Sequence, residues 1–245
     1  MPTRLLNLGL RVVSLGSRFL LIILLAKSML AEDFGFYGLF AGAVNYLMYV
    51  VGIDFYTYNV RDLVTRPTST WRALLRDQGM LYAATFAIVT GGSLLLWAGN
   101  VIGGGTLIWL LLLLATEHMA QELNRLMIIA GKVLQSSLAL FIRSGLWVLV
   151  LAALWWQNPT APLQVQQVFT LWLGGGVLAI VWSLYCLRHV LCDRSSAGAP
   201  VDWPRLREGI RVAALFFAGT LVLKFASTAD RFLVEHFAGL AAVGT

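Results

Sequence analysis

Long apolar stretches, each about as long as a bilayer is thick, recur along the whole chain of 245 residues. A transmembrane helix needs roughly 20 consecutive apolar residues. Stretches of this kind occupy residues 5–27, 34–56, 79–98, 106–130, 135–156, 165–187 and 211–229. The composition agrees, since 59% of the residues are hydrophobic, only 12% are charged and the mean hydropathy is +0.78. The sequence therefore predicts an all-α integral membrane protein.

Several function classes do not fit the residue pattern. The two cysteines are too few for a disulfide scaffold. The chain has no HExxH, P-loop or GxSxG motif, and its three histidines are too scattered for a metal site. The net charge of +6 does not indicate nucleic-acid binding, because most of the basic residues lie in loops between apolar stretches. We therefore expect no enzyme activity, no cofactor and no metal.

Lys and Arg are concentrated in alternate loops, which predicts the orientation of the spans. The loops near residues 99–105 and 157–164 contain neither residue type. Cytoplasmic loops retain positive charge, so the basic loops and the amino terminus are predicted to be cytoplasmic. The basic residues after the second, fourth and sixth spans are Arg61, Arg66, Arg72, Arg76, Lys132, Arg188, Arg194, Arg205, Arg207 and Arg211.

The first span carries two arginines, although a charge at mid-bilayer costs roughly 2.5 to 3.5 kcal/mol on insertion scales. At 100° per residue, Asn7, Ser14 and Arg18 all fall within about 60° of Arg11. The four residues therefore form one polar stripe on an otherwise apolar helix. We expect this stripe to face protein or water instead of lipid.

The fourth span has the strongest polar character. Its polar residues share one arc of the helix, and the opposite arc is apolar. The spacing permits intrahelical pairs such as Glu122 with Arg125. Two readings are open, a polar face buried for packing or a cavity wall that serves as an ion-coupling site. The residues of this arc are Glu117, His118, Gln121, Glu122, Asn124 and Arg125.

Further features inside the spans also have two readings. Lys224 in the seventh span either faces a cavity or snorkels outward. Arg143 either snorkels or indicates that the fifth span begins later. The Gly174, Gly175 and Gly176 run is either a weak point within the sixth span or a site of close helix packing.

Four segments together resemble a known family. They are AKSMLAEDFGFYGLF, VGIDFYTYNVRDL, EHMAQELNRLMIIAGK followed by FIRSGLWV, and DRFLVEHFAGLAAVG. They are similar to the polysaccharide-transporter branch of the multidrug, oligosaccharidyl-lipid and polysaccharide exporter superfamily. This family includes the flippases of lipid-linked O-antigen and exopolysaccharide. The resemblance implies a MATE-like flippase fold, in which two six-helix lobes surround a central cavity.

On this resemblance, the chain contains a six-helix amino-terminal lobe (1–187), a cytoplasmic basic linker (188–210) and the first helix of a second lobe (211–245). We therefore expect a truncated or fragmentary chain, or one whose other half is supplied separately. The resemblance also implies a bacterial inner-membrane location. Partners would be the lipid bilayer, an undecaprenyl-pyrophosphate-linked glycan and the polysaccharide polymerase or chain-length machinery.

The implied function is translocation of undecaprenyl-pyrophosphate-linked oligosaccharide for O-antigen or exopolysaccharide synthesis. Arginine suits the pyrophosphate because its planar fork donates paired, charge-assisted hydrogen bonds. The residues expected to form the pyrophosphate and glycan cavity are Arg11, Arg18, Asn7, Ser14 and Lys224. Glu117, Glu122 and His118 are the candidates for ion coupling. The alternatives are a cation-coupled multidrug antiporter of the same superfamily, whose cavity should be acidic and aromatic, and a non-transporting membrane fragment.

Overall fold

The computed structural model of the protein describes residues 2–160, 162–192 and 198–240, with the side chains of residues 2, 3, 224, 227, 228, 230, 231 and 238 outside the description. The described residues form nine α-helices and contain no β-strand. The predicted all-α class is therefore confirmed for this part of the chain. The helices are α1 (Pro2–Ser28), α2 (Ala31–Gly52), α3 (Phe55–Thr65), α4 (Trp71–Ala98), α5 (Gly104–Ile129), α6 (Val133–Phe141), α7 (Trp147–Gln157), α8 (Val165–Leu191) and α9 (Trp203–Ala238).

Five segments of the described chain are helical, long and apolar enough to cross a membrane: Arg4–Ser28, Ala31–Gly52, Thr68–Ala98, Val133–Gln157 and Val165–Leu191. The protein is thus a multi-pass membrane protein by length and composition. The predicted span 106–130 forms the helix α5 but is not among the five, because the polar residues of its second half lower its mean hydropathy. The predicted span 211–229 lies in α9, where several side chains are outside the description, and it remains a prediction.

A short helix, α3, lies between the segments predicted as the second and third spans. The predicted span 34–56 ends early because Ile53 and Asp54 take left-handed backbone conformations, with φ of 45° and 53°. The chain then restarts as α3, which buries Phe55, Asn59 and Leu63 at intervals of one turn. At 11 residues, α3 is too short to cross a membrane, and it packs against protein on one side.

The segment predicted as a basic linker, 188–210, is partly helical. Helix α8 continues to Leu191 and α9 begins at Trp203, so Arg205 and Arg207 both lie on a helix. The predicted fifth span, 135–156, matches the continuous helical segment Val133–Gln157, in which a π-helical turn (Ile142–Leu146) joins α6 to α7. Residues 193–197 lie outside the described part of the chain.

The chain forms two compact units. The first unit comprises Met1–Val44, Ala115–Cys186 and Thr228–Thr245, and the second comprises Asn45–Leu114 and Leu187–Ser227. In the first unit, α1 packs against α6, the π turn and α7. The buried apolar core of this region consists of Leu21, Leu24, Leu25, Trp147, Val148, Leu151, Leu163 and Val168.

The face of α1 beside the polar stripe is apolar and exposed. Its large side chains recur every three or four residues, which places them on one side of the helix. Phe19, for example, is 62% exposed although it lies in the middle of the helix. Such a surface suits lipid and would be costly in water. The residues of this face are Leu5, Leu8, Val12, Leu15 and Phe19.

The glycine run at residues 174–176 brings α8 into close contact with its neighbours in the first unit. A Cβ atom on Gly175 would lie 2.7 Å from Trp147 Cδ1, and one on Gly176 would lie 2.6 Å from Thr116 Cγ2. A Cβ on Gly174 would meet nothing within 4 Å. Of the two readings of this run, close helix packing is therefore confirmed at Gly175 and Gly176.

The second unit contains a buried polar network beside the apolar residues Phe55, Tyr82 and Leu206. Arg205 is only 6% exposed, and its Nε donates to Asp62 Oδ2 at 2.6 Å. Its Nη2 donates to Asn59 Oδ1, and Asn59 in turn donates to Gln78 Oε1. These bonds join the first turn of α9 to α3 and α4.

Candidate functional site

A cavity of about 460 Å³ lies within the first unit, between α1, α2, α5, the π turn, α7 and α8. Its polar lining groups are Arg18, Glu117, Arg143 and Ser144. Its remaining wall is aromatic and aliphatic. The aromatic side chains that line it are Phe34, Tyr37, Trp147 and Trp172.

Glu117 is the most buried charged group of the cavity, with 7% of the residue exposed. Arg143 donates from Nε to Glu117 Oε2 at 2.8 Å and also from Nη2 to the same oxygen. The other oxygen, Oε1, accepts a hydrogen bond from Trp172 Nε1 at 2.8 Å. Both carboxylate oxygens therefore have partners, as a buried charge requires.

The π-helical turn sets the position of Arg143. A π turn inserts one extra residue into the helical repeat and rotates the side chains that follow. Trp147 Nε1 donates to the Arg143 carbonyl oxygen at 2.9 Å. Gly145 allows the turn to approach α1, because a Cβ there would lie 2.8 Å from Phe141 Cδ2 and 3.3 Å from Ser17 Oγ. Arg143 is therefore an ion-pair partner inside the unit. Neither of the two predicted readings, snorkelling or a later start of the span, describes it.

The aromatic side chains of the wall contact one another. The ring centroids of Tyr37 and Trp172 are 6.2 Å apart with tilted planes, and those of Trp147 and Trp172 are 6.5 Å apart with nearly parallel planes. Aromatic pairs at such distances are favourable beyond their buried area. The wall is therefore a continuous aromatic surface that holds the Glu117 partner Trp172 in place.

Arg18 differs from the other charged groups of the cavity, because it has no hydrogen bond or ion pair with any described residue. It is exposed and lines the cavity from α1. The charge of Glu117 is balanced by Arg143, so Arg18 gives the lining a net positive charge. An anionic group that entered the cavity would meet this guanidinium without having to displace another partner.

The other residues of the predicted α1 stripe do not line this cavity. Arg11 Nε donates to Ser137 Oγ at 3.5 Å, and Ser137 donates to Asn7 Oδ1. Ser14 is buried and donates to the Leu10 carbonyl oxygen at 2.7 Å. Asn7, Arg11 and Ser14 thus bond within the unit, although Arg11 is exposed. Only Arg18, near its end, reaches the cavity among the described residues of the stripe.

The polar arc of α5 is also divided. Arg125 Nη1 donates to Glu122 Oε1 at 2.6 Å, which is one of the intrahelical pairs that the spacing permits. His118, Gln121, Glu122 and Arg125 are partly exposed and are not part of the cavity lining among the described residues. Glu117 is the member of the arc that reaches the cavity. The side chain of Lys224 lies outside the described residues.

The comparisons with known proteins give no family for the chain. Neither a protein-family model, nor a curated protein, nor a solved structure matches it.

Proposed function

We propose that the protein translocates undecaprenyl-pyrophosphate-linked oligosaccharide across the bacterial inner membrane for O-antigen or exopolysaccharide synthesis. Arg18 is the observation that carries the proposal, because it places a positive charge on the cavity wall with no balancing group among the described residues. A guanidinium on a cavity wall suits a pyrophosphate, which accepts paired charge-assisted hydrogen bonds. No covalent step is required.

The charge balance of the cavity favours an anionic cargo over a cationic drug. A cation antiporter needs an available carboxylate, but both oxygens of Glu117 are engaged by Arg143 and Trp172. The aromatic wall alone would suit either cargo. With Arg18 included, the lining carries two positive charges, Arg18 and Arg143, and one negative charge, Glu117. An organic cation would therefore be repelled from the cavity.

Glu117 is the proposed coupling group within this function. Protonation of its carboxylate would weaken its hold on Arg143, and the released guanidinium could then bind the same anionic linker as Arg18. Proton entry would in this way strengthen the cationic character of the cavity. Glu122, whose charge is balanced by the local pair with Arg125, supplies a comparison within the same helix. If Glu117→Gln and Glu122→Gln export glycan equally well, Glu117 has no coupling role.

The decisive experiment is complementation in the host bacterium after deletion of the gene. Arg18→Ala should abolish surface polysaccharide and cause lipid-linked oligosaccharide to accumulate on the cytoplasmic face. Arg4→Ala is the matched control, because Arg4 is an exposed arginine of the same helix that does not line the cavity. Membrane insertion of both variants is checked by blotting membrane fractions. Normal surface polysaccharide in cells with inserted Arg18→Ala would refute the proposal.

A further inference from the structure

A second cleft in the first unit has a different chemical character from the cavity at Arg18. It has a volume of about 570 Å³ and lies where α7 ends, the chain turns and α8 begins. None of its lining residues is charged. Its polar groups are amides and a hydroxyl, contributed by Asn158, Gln164, Gln166, Gln167 and Thr170, and its wall includes the indole of Trp155.

Several of these polar groups have hydrogen-bonding capacity to spare. Gln167 Oε1 accepts from the Gln164 backbone N–H at 3.2 Å, which caps α8 and leaves the Gln167 amide N–H groups available. The side-chain amides of Gln164 and Gln166 make no hydrogen bond to any described residue. Each free amide offers two donors and one acceptor group on a single plane.

Trp155 adds a second, independent feature. Its Nε1 is buried and has no hydrogen-bond partner among the residues that the structure describes. A buried donor without an acceptor costs about 1–3 kcal/mol. The Trp155 ring lines the cleft and would provide an apolar contact surface for a sugar ring.

We propose that this cleft binds neutral sugar residues. The absence of charge from the described lining excludes the ionic recognition that pyrophosphate or an acidic sugar would need. Planar amides can exchange two hydrogen bonds with neighbouring sugar hydroxyls, and the Trp155, Pro162 and Leu154 side chains offer apolar surface to the C–H face of the ring. A pocket with a few polar groups on an apolar wall has the usual form of a small-molecule site.

The choice of the glycan as the natural ligand rests on the proposed function. The segment 157–164 contains no Lys or Arg and is predicted to be extracytoplasmic, and its residues Asn158, Pro162 and Gln164 line the cleft. The cleft would then hold neutral sugars of the glycan on the side where the cargo is delivered. The cavity at Arg18 would hold the anionic linker, so the charged and the neutral parts of the cargo would bind at separate sites.

The test measures sugar binding directly, with the full chain in lipid nanodiscs and saturation-transfer NMR. The probes are glucose, galactose, rhamnose and N-acetylglucosamine, with inorganic pyrophosphate as the charged comparison. At least one neutral sugar should bind at the cleft. Gln164→Leu and Gln166→Leu should each weaken that binding about five- to tenfold, because each removes about one net hydrogen bond. Trp155→Phe should weaken it similarly.

Matched variants separate a site from a general surface effect. Gln135→Leu makes the same change at an exposed glutamine outside the cleft, and Trp156→Phe changes an indole that is 81% exposed and does not line it. Both should bind like the unchanged protein. The proposal is overturned if no neutral sugar binds, if pyrophosphate competes for the same site, or if cleft and control variants behave alike.

The two proposals fail in distinguishable ways. Arg18→Ala should abolish export while leaving neutral-sugar binding at the cleft intact, because Arg18 is not part of the cleft lining. Export that survives Arg18→Ala, together with sugar binding that Gln166→Leu weakens, would refute the flippase proposal alone. Lost export in Arg18→Ala without any sugar binding would refute the cleft alone.

Discussion

Arg143 and Glu117 stand 26 positions apart in the sequence, and their side chains meet in an ion pair inside the first unit. The guanidinium side chain is 15% exposed and the carboxylate side chain 10% exposed, so the pair is largely shielded from solvent. The π turn that carries Arg143 and the helix that carries Glu117 are therefore tied by a charged contact. Its integrity determines both the charge of the cavity and the packing of α5 in this unit.

Glu117→Gln should destabilise the protein strongly. The amide keeps the shape of the carboxylate but leaves the Arg143 guanidinium as a buried charge without a counter-ion, a change that typically costs about 3–5 kcal/mol. Unfolding in mixed detergent micelles, followed by circular dichroism, measures the loss. Glu122→Gln is the control on the same helix, and its local pair with Arg125 should be worth less than about 1 kcal/mol.

Combining Glu117→Gln with Arg143→Met should recover much of the lost stability. The double variant removes both charges and fills the site of Arg143 with an apolar side chain of similar length, and neutral replacement of a buried pair is often tolerated. The same unfolding measurement gives the coupling energy between the two positions. Additive losses in the double variant would show that the pair contributes nothing as a pair.

The sequence indicates part of this site and misses its centre. The polar arc of α5 is visible as a helical period, and it correctly includes Glu117. Helical spacing, however, reveals only partners on the same helix, such as Glu122 and Arg125. The pairing with Arg143 depends on the π turn, which shifts the helical register and has no clear signal in the residue pattern. Trp172 is predicted only as an apolar residue of a span, although its N–H completes the site.

Gly176→Ala should destabilise the first unit, because the added methyl group would overlap Thr116 Cγ2. Overpacking of this kind costs about 1–3 kcal/mol, and the better helix propensity of alanine offsets only part of it. Adding Thr116→Ser removes the opposing methyl group and should restore stability. Gly174→Ala is the control, with open space around its Cβ position. Equal unfolding midpoints for Gly174→Ala and Gly176→Ala would contradict the close approach.

Ser137→Ala should lower stability and leave the cationic site at Arg18 unchanged. The Ser137 hydroxyl is buried and joins Arg11 to Asn7 across α6 and α1, so its loss should cost about 0.5–1.5 kcal/mol. Ser183→Ala is the matched control, because Ser183 is equally buried but bonds only to the Ala179 carbonyl of its own helix. Loss of export without loss of stability in Ser137→Ala would place Arg11 in the transport path.

The fold of the second unit illustrates a similar limit of sequence reading. The arginines of 188–210 are predicted as charges of a cytoplasmic basic linker, and Arg207 is exposed. Arg205 is instead buried by a contact with Asp62, 143 positions earlier, on a helix that the apolar pattern does not reveal. Short amphipathic helices such as α3 fall below the length that identifies a span. An ion pair between residues far apart in the sequence does not appear in the helical periodicity of either segment.

Arg205→Ala should destabilise the second unit more than any exposed arginine of the same helix. The variant removes a donor from Asp62 and Asn59 and leaves the buried Asn59 oxygen without its charged partner. Removing one member of a buried pair costs about 3–5 kcal/mol. Arg205→Lys should recover little, because a lysine cannot reach both acceptors with a planar fork. Hydrogen exchange of the backbone amides in α3 and in the first turns of α9 measures the effect, with Arg207→Ala as the control. Equal protection of these amides in the Arg205 and Arg207 variants would show that the network does not hold the two helices together.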